Sequence, residues 1–312
     1  MTVSVLVSSY NHAPFVERTL RSIFAQTHAP EKLIVIDDGS KDESVKIIEK
    51  VLRDCPFPFE FIGRENRGLS ATLNEGFAKT TGDYFAYLGS DDVWLPGFLE
   101  ARIKLLQKRP GAVLAFGHAF LIDEDDGIFD STDNWNALAD GDMLPHLLRG
   151  IVFASSSVVY RRTALAKHRW NENSILEDYE MYLKLCADGE FALDARNLSA
   201  WRQHGWNTSG DFSAMFEEWL AAQTRVAGQL KISRPELERI QSELKFKSIL
   251  DYIRRGEKRT AVRLLRENLG GAQSAAEIAK TLFRLSIPQK IFQWNRRRKR
   301  SNAARKYGKL KN

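Results

Sequence analysis

The chain is poor in cysteine and has no long apolar segment. Its 312 residues include two cysteines, Cys55 and Cys186, neither close to a second cysteine or to paired histidines. This spacing excludes a zinc pattern and a disulfide framework. No stretch approaches the length of about 18 apolar residues that a spanning helix needs, and no signal-peptide pattern opens the chain. We therefore expect a cytoplasmic protein without a membrane-spanning helix.

Two familiar nucleotide-binding loops are also missing. A dinucleotide dehydrogenase carries G-x-G-x-x-G after its first strand, a P-loop enzyme carries G-x-x-x-x-G-K-[ST], and the sequence contains neither. The phosphates of a nucleotide bound by this chain would therefore depend on a metal ion more than on a glycine-rich loop. A phosphoryl-transfer enzyme is disfavoured for the same reason.

Acidic residues are missing from the end of the chain. Residues 281–312 hold eleven Lys or Arg and no Asp or Glu, whereas the rest of the chain holds 35 basic and 40 acidic side chains. The same segment holds apolar residues such as Phe283 and Trp294. Together these features predict an amphipathic tail in peripheral contact with an anionic membrane surface, on the inner face of the cytoplasmic membrane. The alternatives are a solvated tail and a nucleic-acid patch, of which the latter is not expected.

Strand and helix patterns alternate over the first half of the chain. The predicted strands are 3–7, 33–36, 57–62, 84–88, 112–122 and 152–160. Helical apolar spacing separates the first four of these strands, which predicts an α/β fold with a mostly parallel sheet flanked by helices. Residues 123–142 are acidic and predict a surface loop over the site. After residue 210 only helical patterns remain.

Polar side chains follow three of the predicted strands, at 8–11, 37–40 and 89–92. Ligands of open parallel sheets bind where strands end, so we expect these clusters to converge. Asp91 and Asp92 follow a buried strand directly, and buried carboxylates are costly unless they are paired. A hard divalent cation is a suitable partner, which predicts a metal–diphosphate site. The alternative for an isolated Ser-Asp-Asp is a solvated turn.

A second acidic pair, Glu177-Asp178, opens a predicted helix. Negative charge at a helix N-terminus is stabilised by the helix dipole, so helix capping is one interpretation. The other interpretation gives Asp178 the role of general base. The residues alone leave both open.

Taken together, the motifs resemble those of the family 2 glycosyltransferases with the GT-A fold, over about residues 2–210. They lie at 5–11, 36–42, 65–71 with Asn74, 82–84, 90–92, Glu177-Asp178 and Arg202-x-His204-x-x-Asn207-x-Ser209. The resemblance implies transfer of a sugar, with inversion by single displacement, from a nucleotide-sugar donor to a hydroxyl of a glycan or lipid-linked acceptor. It further implies a UDP-sugar donor, Mn²⁺ or Mg²⁺ as cofactor, and a role in assembling bacterial surface polysaccharide or glycan.

The resemblance also assigns site residues. Asp178 is implied as the catalytic base, or alternatively as a ligand of the acceptor hydroxyl while Glu177 caps the helix. The implied metal ligands are Asp91, Asp92 and His204. The residues implied to bind the nucleotide sugar are Ser8, Tyr10, Asp37, Asp38, Asn66, Arg67, Asn74, Ser90, Asp92, Glu177 and Arg202.

Two positions depart from the family pattern. Gly89 replaces the usual first Asp of the metal motif, and Leu73 replaces a usual Arg, whose role Arg64 or Arg67 would take. These departures leave open a binding or scaffold protein that has lost catalysis, whereas the retained carboxylates favour the enzyme. The expected organisation is a GT-A domain at 1–210 (nucleotide-binding half 1–110, acceptor-side half 111–210), a helical region at 211–280 and a basic amphipathic tail at 281–312.

Overall fold

The computed structural model describes residues 1–135, 138–205, 207 and 210–311. The strands are β1 (Val3–Ser9), β2 (Lys32–Asp37), β3 (Phe59–Gly63), β4 (Tyr84–Gly89), β5 (Val93–Trp94), β6 (Ala112–Ile122), β7 (Ile128–Ser131), β8 (Val159–Arg161) and β9 (Glu190–Arg202). The helices are α1 (Val16–Phe24), α2 (Ser44–Leu52), α3 (Leu69–Ala78), α4 (Phe98–Lys108), α5 (Leu144–Leu148), α6 (Arg162–Leu165), α7 (Glu177–Cys186), α8 (Phe212–Val226), α9 (Arg234–Arg255), α10 (Lys258–Glu267), α11 (Ala275–Ser286) and α12 (Gln289–Tyr307).

The first half of the sheet is parallel, in the order β3-β2-β1-β4. β1 and β4 are buried along almost their whole length because helices cover both faces. The register aligns Ser8 with Ile36 on one side and with Gly89 on the other, so these strands end at the same edge. This arrangement confirms the predicted α/β fold.

The second half of the sheet is mixed. β8 runs antiparallel between β4 and β6, β9 lies parallel to β6, and β5 pairs antiparallel with β9. The predicted strand at 152–160 is wrong for most of its length, because residues 155–157 form a 3₁₀ turn. The side chains of Trp94 and Arg102 donate to the carbonyls of Ser156 and Ser157, which are therefore not available to a sheet ladder.

The acidic segment 123–142 is only partly the predicted loop. After a tight turn at 123–127, β7 pairs antiparallel with β6. A short 3₁₀ helix, Thr132–Asn134, follows and brings Trp135 to the sheet edge. The segment therefore reaches the site as an extension of the sheet.

The main hydrophobic core runs from the sheet into the helices after residue 210. Phe216 and Val226 of α8, and Ile240 and Leu244 of α9, belong to the same buried cluster as Leu6 of β1. This core is continuous across residue 210. The domain boundary predicted there stays a prediction. No helix among the described residues has both the length and the apolar composition that a membrane crossing requires.

Candidate active site

A cavity of about 890 Å³ opens at the carboxyl ends of β1, β2 and β4. One side is formed by the three polar strand ends that the sequence predicted to converge. Another side is formed by the N-terminus of α7 and by α8. The strand-end residues on the cavity wall include Ser8, Tyr10, Asn11, His12, Asp38, Asn66 and Asp91.

His12, Asp91 and His204 form a compact group at the centre of the strand-end side. Their ligand atoms all lie within 4.8 Å of one another. Nε2 of His204 is 3.1 Å from Oδ2 of Asp91, and Nδ1 of His12 is 3.8 Å from Oδ1. One carboxylate and two imidazoles form a donor set that suits a divalent transition ion. The nitrogens fit Mn²⁺ better than Mg²⁺, which takes oxygen ligands.

The protonation of this group also suits a metal. Burial lowers the pKa of His12, which favours the neutral imidazole that a metal requires. Burial acts to raise the pKa of Asp91, but opposing interactions, led by the hydrogen bond with His204, outweigh it, and the net shift is downward. Asp91 is therefore held as a carboxylate.

Asp92 does not share the position of Asp91. Its Oδ1 accepts the backbone N–H of Arg202 at 2.9 Å, and it lies outside the compact His12–Asp91–His204 group. Burial and the charge of Asp91 raise the pKa of Asp92 well above its usual range. The compact group thus contains the predicted ligands Asp91 and His204 together with His12, whereas Asp92 lines the cavity outside this group and its predicted role as a ligand stays a prediction.

Arg202 is buried and acts within the protein. Its guanidinium donates to the carbonyls of Asp91 and Asp123 and pairs with Asp126 at 2.6 Å. It also lies over the ring of Phe15, 4.8 Å from the centroid. These partners occupy the side chain, and the predicted contact of Arg202 with the donor stays a prediction. Asn207 lies beside His204, and Ser209 of the same motif is outside the described residues.

Gly89 is explained by the position of Asp91. A Cβ at residue 89 would lie 2.7 Å from Oδ1 of Asp91, and the carboxylate is already held by His204 and Asn207. A side chain there would displace the carboxylate or itself. In this chain, therefore, the departure from the family pattern makes room for Asp91.

The predicted nucleotide-binding carboxylates differ in location. Asp37 accepts hydrogen bonds from Ser9 and Ser40 beneath the cavity wall. Asp38 lines the cavity, pairs with Arg64, and accepts the backbone N–H groups of Arg67 and Gly68. Asp38 thereby holds the loop that presents Asn66. Asp37 lies outside the cavity lining, and its predicted contact with the nucleotide stays a prediction.

Three other predicted contacts lie away from the cavity wall, as the described residues define it. The Arg67 side chain is largely exposed and pairs with Glu75, while Arg64 is engaged by Asp38 and Glu75. Asn74 bonds both backbone groups of Trp170 and so joins α3 to the segment before α7. The Ser90 hydroxyl is 2.8 Å from Nδ1 of His12 and orients that ring. Their predicted contacts with the donor stay predictions.

Glu177 and Asp178 open α7 and line the same cavity. Burial raises the pKa of Asp178 to about 6, although its carboxylate accepts the Tyr179 N–H at 2.7 Å. Burial and repulsion by Asp178 raise the pKa of Glu177 to about 8. At neutral pH the pair therefore holds one base and one hydroxyl donor. No side-chain cap is formed by the residue preceding α7, Leu176.

Two groups of site residues were missed by sequence reasoning. His12 follows the first polar cluster directly, and the adjacency of β1 and β4 is the signal that could have placed it beside Asp91. The apolar wall was missed because most of its residues come from a predicted loop, a predicted strand and a predicted helix, and nothing in the sequence joins them. It consists of Trp135, Leu147, Phe153, Phe212, Met215, Phe216 and Trp219.

Comparison with known proteins decides the family. The family model for glycosyl transferase family 2 matches residues 4–169. The chain belongs to this family. The match covers β1 to α6, which carry the Asp91 motif and most of the cavity's strand-end side.

The family 2 glycosyltransferase has relatives in several bacteria. It is 32% identical over 171 residues to an uncharacterised glycosyltransferase of Nostoc, covering 54% of this chain and 53% of the relative. It is 28% identical over 223 residues to an uncharacterised glycosyltransferase of Rickettsia conorii, covering 69% of this chain and 36% of the relative. The chain thus spans about half or less of these curated relatives.

Solved structures share the GT-A fold over nearly the whole glycosyltransferase. The fragment 1–349 of Staphylococcus aureus TarS in complex with UDP-GlcNAc superposes with a TM-score of 0.63 at 14% identity, covering 100% of this chain and 93% of the fragment. The mannosyltransferase PcManGT of Pyrobaculum calidifontis, in complex with GDP-Man and Mn²⁺, gives 0.63 at 16% identity, covering 97% and 86%. At these identities the likeness establishes the fold.

Proposed function

We propose that the protein is a metal-dependent, inverting glycosyltransferase that uses a nucleotide-sugar donor. The observation that carries this proposal is that one cavity is lined both by the Asp91 group, on the strand-end wall, and by the Glu177-Asp178 pair, on the wall formed by α7. Glycosyl transfer needs positive charge where the diphosphate leaves and a base where the acceptor attacks. The two walls offer one of these each.

The strand-end wall is proposed to bind the donor. Ser8, Asp38 and Asn66 offer hydrogen-bonding groups for the nucleoside, and His12, Asp91 and His204 would hold the ion. A divalent ion supplies positive charge that stabilises the departing diphosphate. We propose Mn²⁺ ahead of Mg²⁺ and a UDP-sugar as donor. The likeness to TarS bound to UDP-GlcNAc supports UDP, and PcManGT with GDP-Man makes GDP the alternative to test.

The wall formed by the N-terminus of α7 is proposed to activate the acceptor. Asp178 takes the proton of the acceptor hydroxyl while the hydroxyl oxygen bonds to the anomeric carbon of the donor sugar. In the same step the bond from that carbon to the diphosphate oxygen breaks, and the nucleoside diphosphate leaves. The attack from the face opposite the leaving group inverts the anomeric centre. A pKa of about 6 suits a base at neutral pH, where such a group contributes about 10²- to 10⁴-fold in rate. Protonated Glu177 donates a hydrogen bond to the acceptor.

A peripheral membrane contact is proposed for α11 and α12. α12 carries eight Lys or Arg and no buried residue, and none of its basic side chains pairs with a carboxylate among the described residues. Leu282, Phe283, Ile291 and Trp294 are exposed beside these charges, with Phe283 at 69%. We therefore propose a lipid-linked or glycan acceptor at the cytoplasmic membrane face, as in bacterial surface polysaccharide assembly.

The proposal is tested by transfer and hydrolysis assays over a panel of UDP-, GDP- and dTDP-sugars, with Mn²⁺, with Mg²⁺ and with chelator. We expect turnover with Mn²⁺ and none with chelator. Asp91→Ala should abolish metal-dependent donor binding, whereas Asp178→Ala should preserve donor binding and abolish transfer. No turnover together with no metal-dependent nucleotide binding would instead indicate a protein that has lost catalysis.

A further inference from the structure

The tight turn between β6 and β7 lies next to the Asp91 group. Asp126 in this turn has a left-handed backbone with φ of 64°, which Asp and Asn tolerate better than most residues. Its Oδ1 lies 2.6 Å from the guanidinium of Arg202, and its Oδ2 lies 3.4 Å from Nε of Arg18. Asp126 is the one carboxylate that forms an ion pair with Arg202 among the described residues.

Arg202 transmits the position of this turn to the metal motif. Its Nε donates to the carbonyl of Asp91 at 2.8 Å, and its backbone N–H donates to the carboxylate of Asp92 at 2.9 Å. The arginine is 1% exposed, so its charge depends on protein partners. Both aspartates of the motif are therefore held by one residue whose charge Asp126 neutralises.

The segment 308–310 closes the turn from the outside. The backbone N–H of Leu310 donates to the carbonyl of Asp126 at 2.9 Å, and the N–H of Ile128 donates to the carbonyl of Gly308 at 2.9 Å. The Leu310 side chain is buried against Val93 and Ile122, near the base of the metal motif. The segment after the basic helix α12 is thus part of the structure that holds Asp126.

We propose that Asp126 is a positioning residue for the metal group, held in place by the segment 308–310. It acts through Arg202, which sets the backbone of Asp91 and hence the distances from its carboxylate to His12 and His204. The proposal rests on the proposed function, because it concerns how well this group binds the ion. Residues that orient metal ligands commonly change metal affinity or activity by about 10- to 100-fold when they are replaced.

The test compares UDP affinity with Mn²⁺ and with chelator in the full chain, by calorimetry or by Mn²⁺ paramagnetic resonance. Asp126→Asn keeps the left-handed turn and removes the charge. We expect it to lose about 10- to 100-fold of the Mn²⁺-dependent part of UDP affinity. The affinity in chelator should stay within about twofold, which a general loss of structure would not allow. Leu310→Ala should give a smaller loss of the same kind.

Asp125→Asn and Lys311→Ala are matched controls. Both residues are exposed neighbours in the same two segments, and both variants should bind like the wild type. If the wild type gains affinity from Mn²⁺ and Asp126→Asn keeps the full gain, the positioning role is wrong and the proposed function stands. If the wild type gains nothing from Mn²⁺, both proposals fail. Leu310→Ala decides the matter if Asp126→Asn does not fold.

Discussion

Nε2 of His204 lies 3.1 Å from Oδ2 of Asp91, although 113 positions separate the two residues in sequence. The contact joins the end of β4 to the segment after β9. The contact favours the ionised form of Asp91 over that of its neighbour Asp92. A second imidazole, that of His12, lies near the other oxygen of the same carboxylate. The donor set is therefore a product of three distant segments.

The histidines should matter for metal-dependent donor binding. His204→Ala removes a proposed ligand, so we expect the Mn²⁺-dependent gain in UDP affinity to fall by at least about tenfold, and His12→Ala should act in the same direction. His28→Ala, at a histidine outside the cavity lining, is the control. Isothermal titration of UDP, in the presence of Mn²⁺ and in the presence of chelator, measures the two affinities whose ratio is the Mn²⁺-dependent gain. Unchanged Mn²⁺ dependence in His204→Ala would remove this residue from the proposed site.

Gly89 should not tolerate a side chain. Gly89→Ala places a methyl group 2.7 Å from the present position of Oδ1 of Asp91, so the carboxylate must move away from its histidines. We expect metal-dependent donor affinity to fall by about tenfold, by the same ligand-orienting effect. Gly63→Ala is the control, since a Cβ there meets no atom within 4 Å. Wild-type affinity in Gly89→Ala would show that the carboxylate relocates without cost.

The pH dependence of transfer should report the pair on α7. Asp178 must be deprotonated to act as a base, and Glu177 donates only while protonated, so kcat/KM should rise through about pH 6 and fall through about pH 8. The two limbs belong to the coupled pair. In Glu177→Gln the falling limb should disappear while the rising limb remains. A flat profile from about pH 5 to 9 would contradict the assignment.

Glu177 and Asp178 should also lower the free energy of unfolding of the protein at high pH. Both pKa values are raised in the folded state, so the folded protein binds more protons than the unfolded chain, and its stability falls as pH rises from about 4 through about 6 and 8. Asp178→Asn removes one charge and should raise Tm at pH 8 by roughly 1–2 °C, which is about 1 kcal/mol in a chain of this size. Little change is expected near pH 4, where both groups are protonated in the folded state. Calorimetry at the two pH values measures this, and an equal shift at both would contradict it.

Membrane contact is best tested by substitution. Removing the chain after residue 280 would also remove the segment 308–310, which packs beside the metal motif. We expect the full chain to float with anionic vesicles at low salt, and the paired change Phe283→Ser with Trp294→Ser to weaken this binding by tenfold or more, because both side chains are exposed beside basic residues. Phe59→Ser, at an exposed edge-strand residue, is the control. The proposal would be contradicted if the wild type, the paired variant and the control all float equally, or if none of them floats. Binding to RNA without binding to vesicles would favour a nucleic-acid partner.

Much of the fold follows from local pattern. The predicted strand at 112–122 matches β6 residue for residue, because its apolar run has clear ends. The strand predicted at 152–160 failed where side chains of β5 and α4 capture the backbone carbonyls of Ser156 and Ser157. Such captures come from remote segments and leave no local signal.

The sequence by itself determined the alternating architecture, the polar strand ends, the acidic start of α7 and the likeness to family 2 glycosyltransferases. These features depend on residues that are adjacent in sequence, so the spacing of apolar and polar side chains along the chain predicts them. Only the tertiary structure decided that His12 joins Asp91, that Arg202 holds the motif from within, and that Asp126 and Leu310 lie behind it. Those roles depend on which distant side chains meet at a few ångströms, and this is set by the packing of the whole chain.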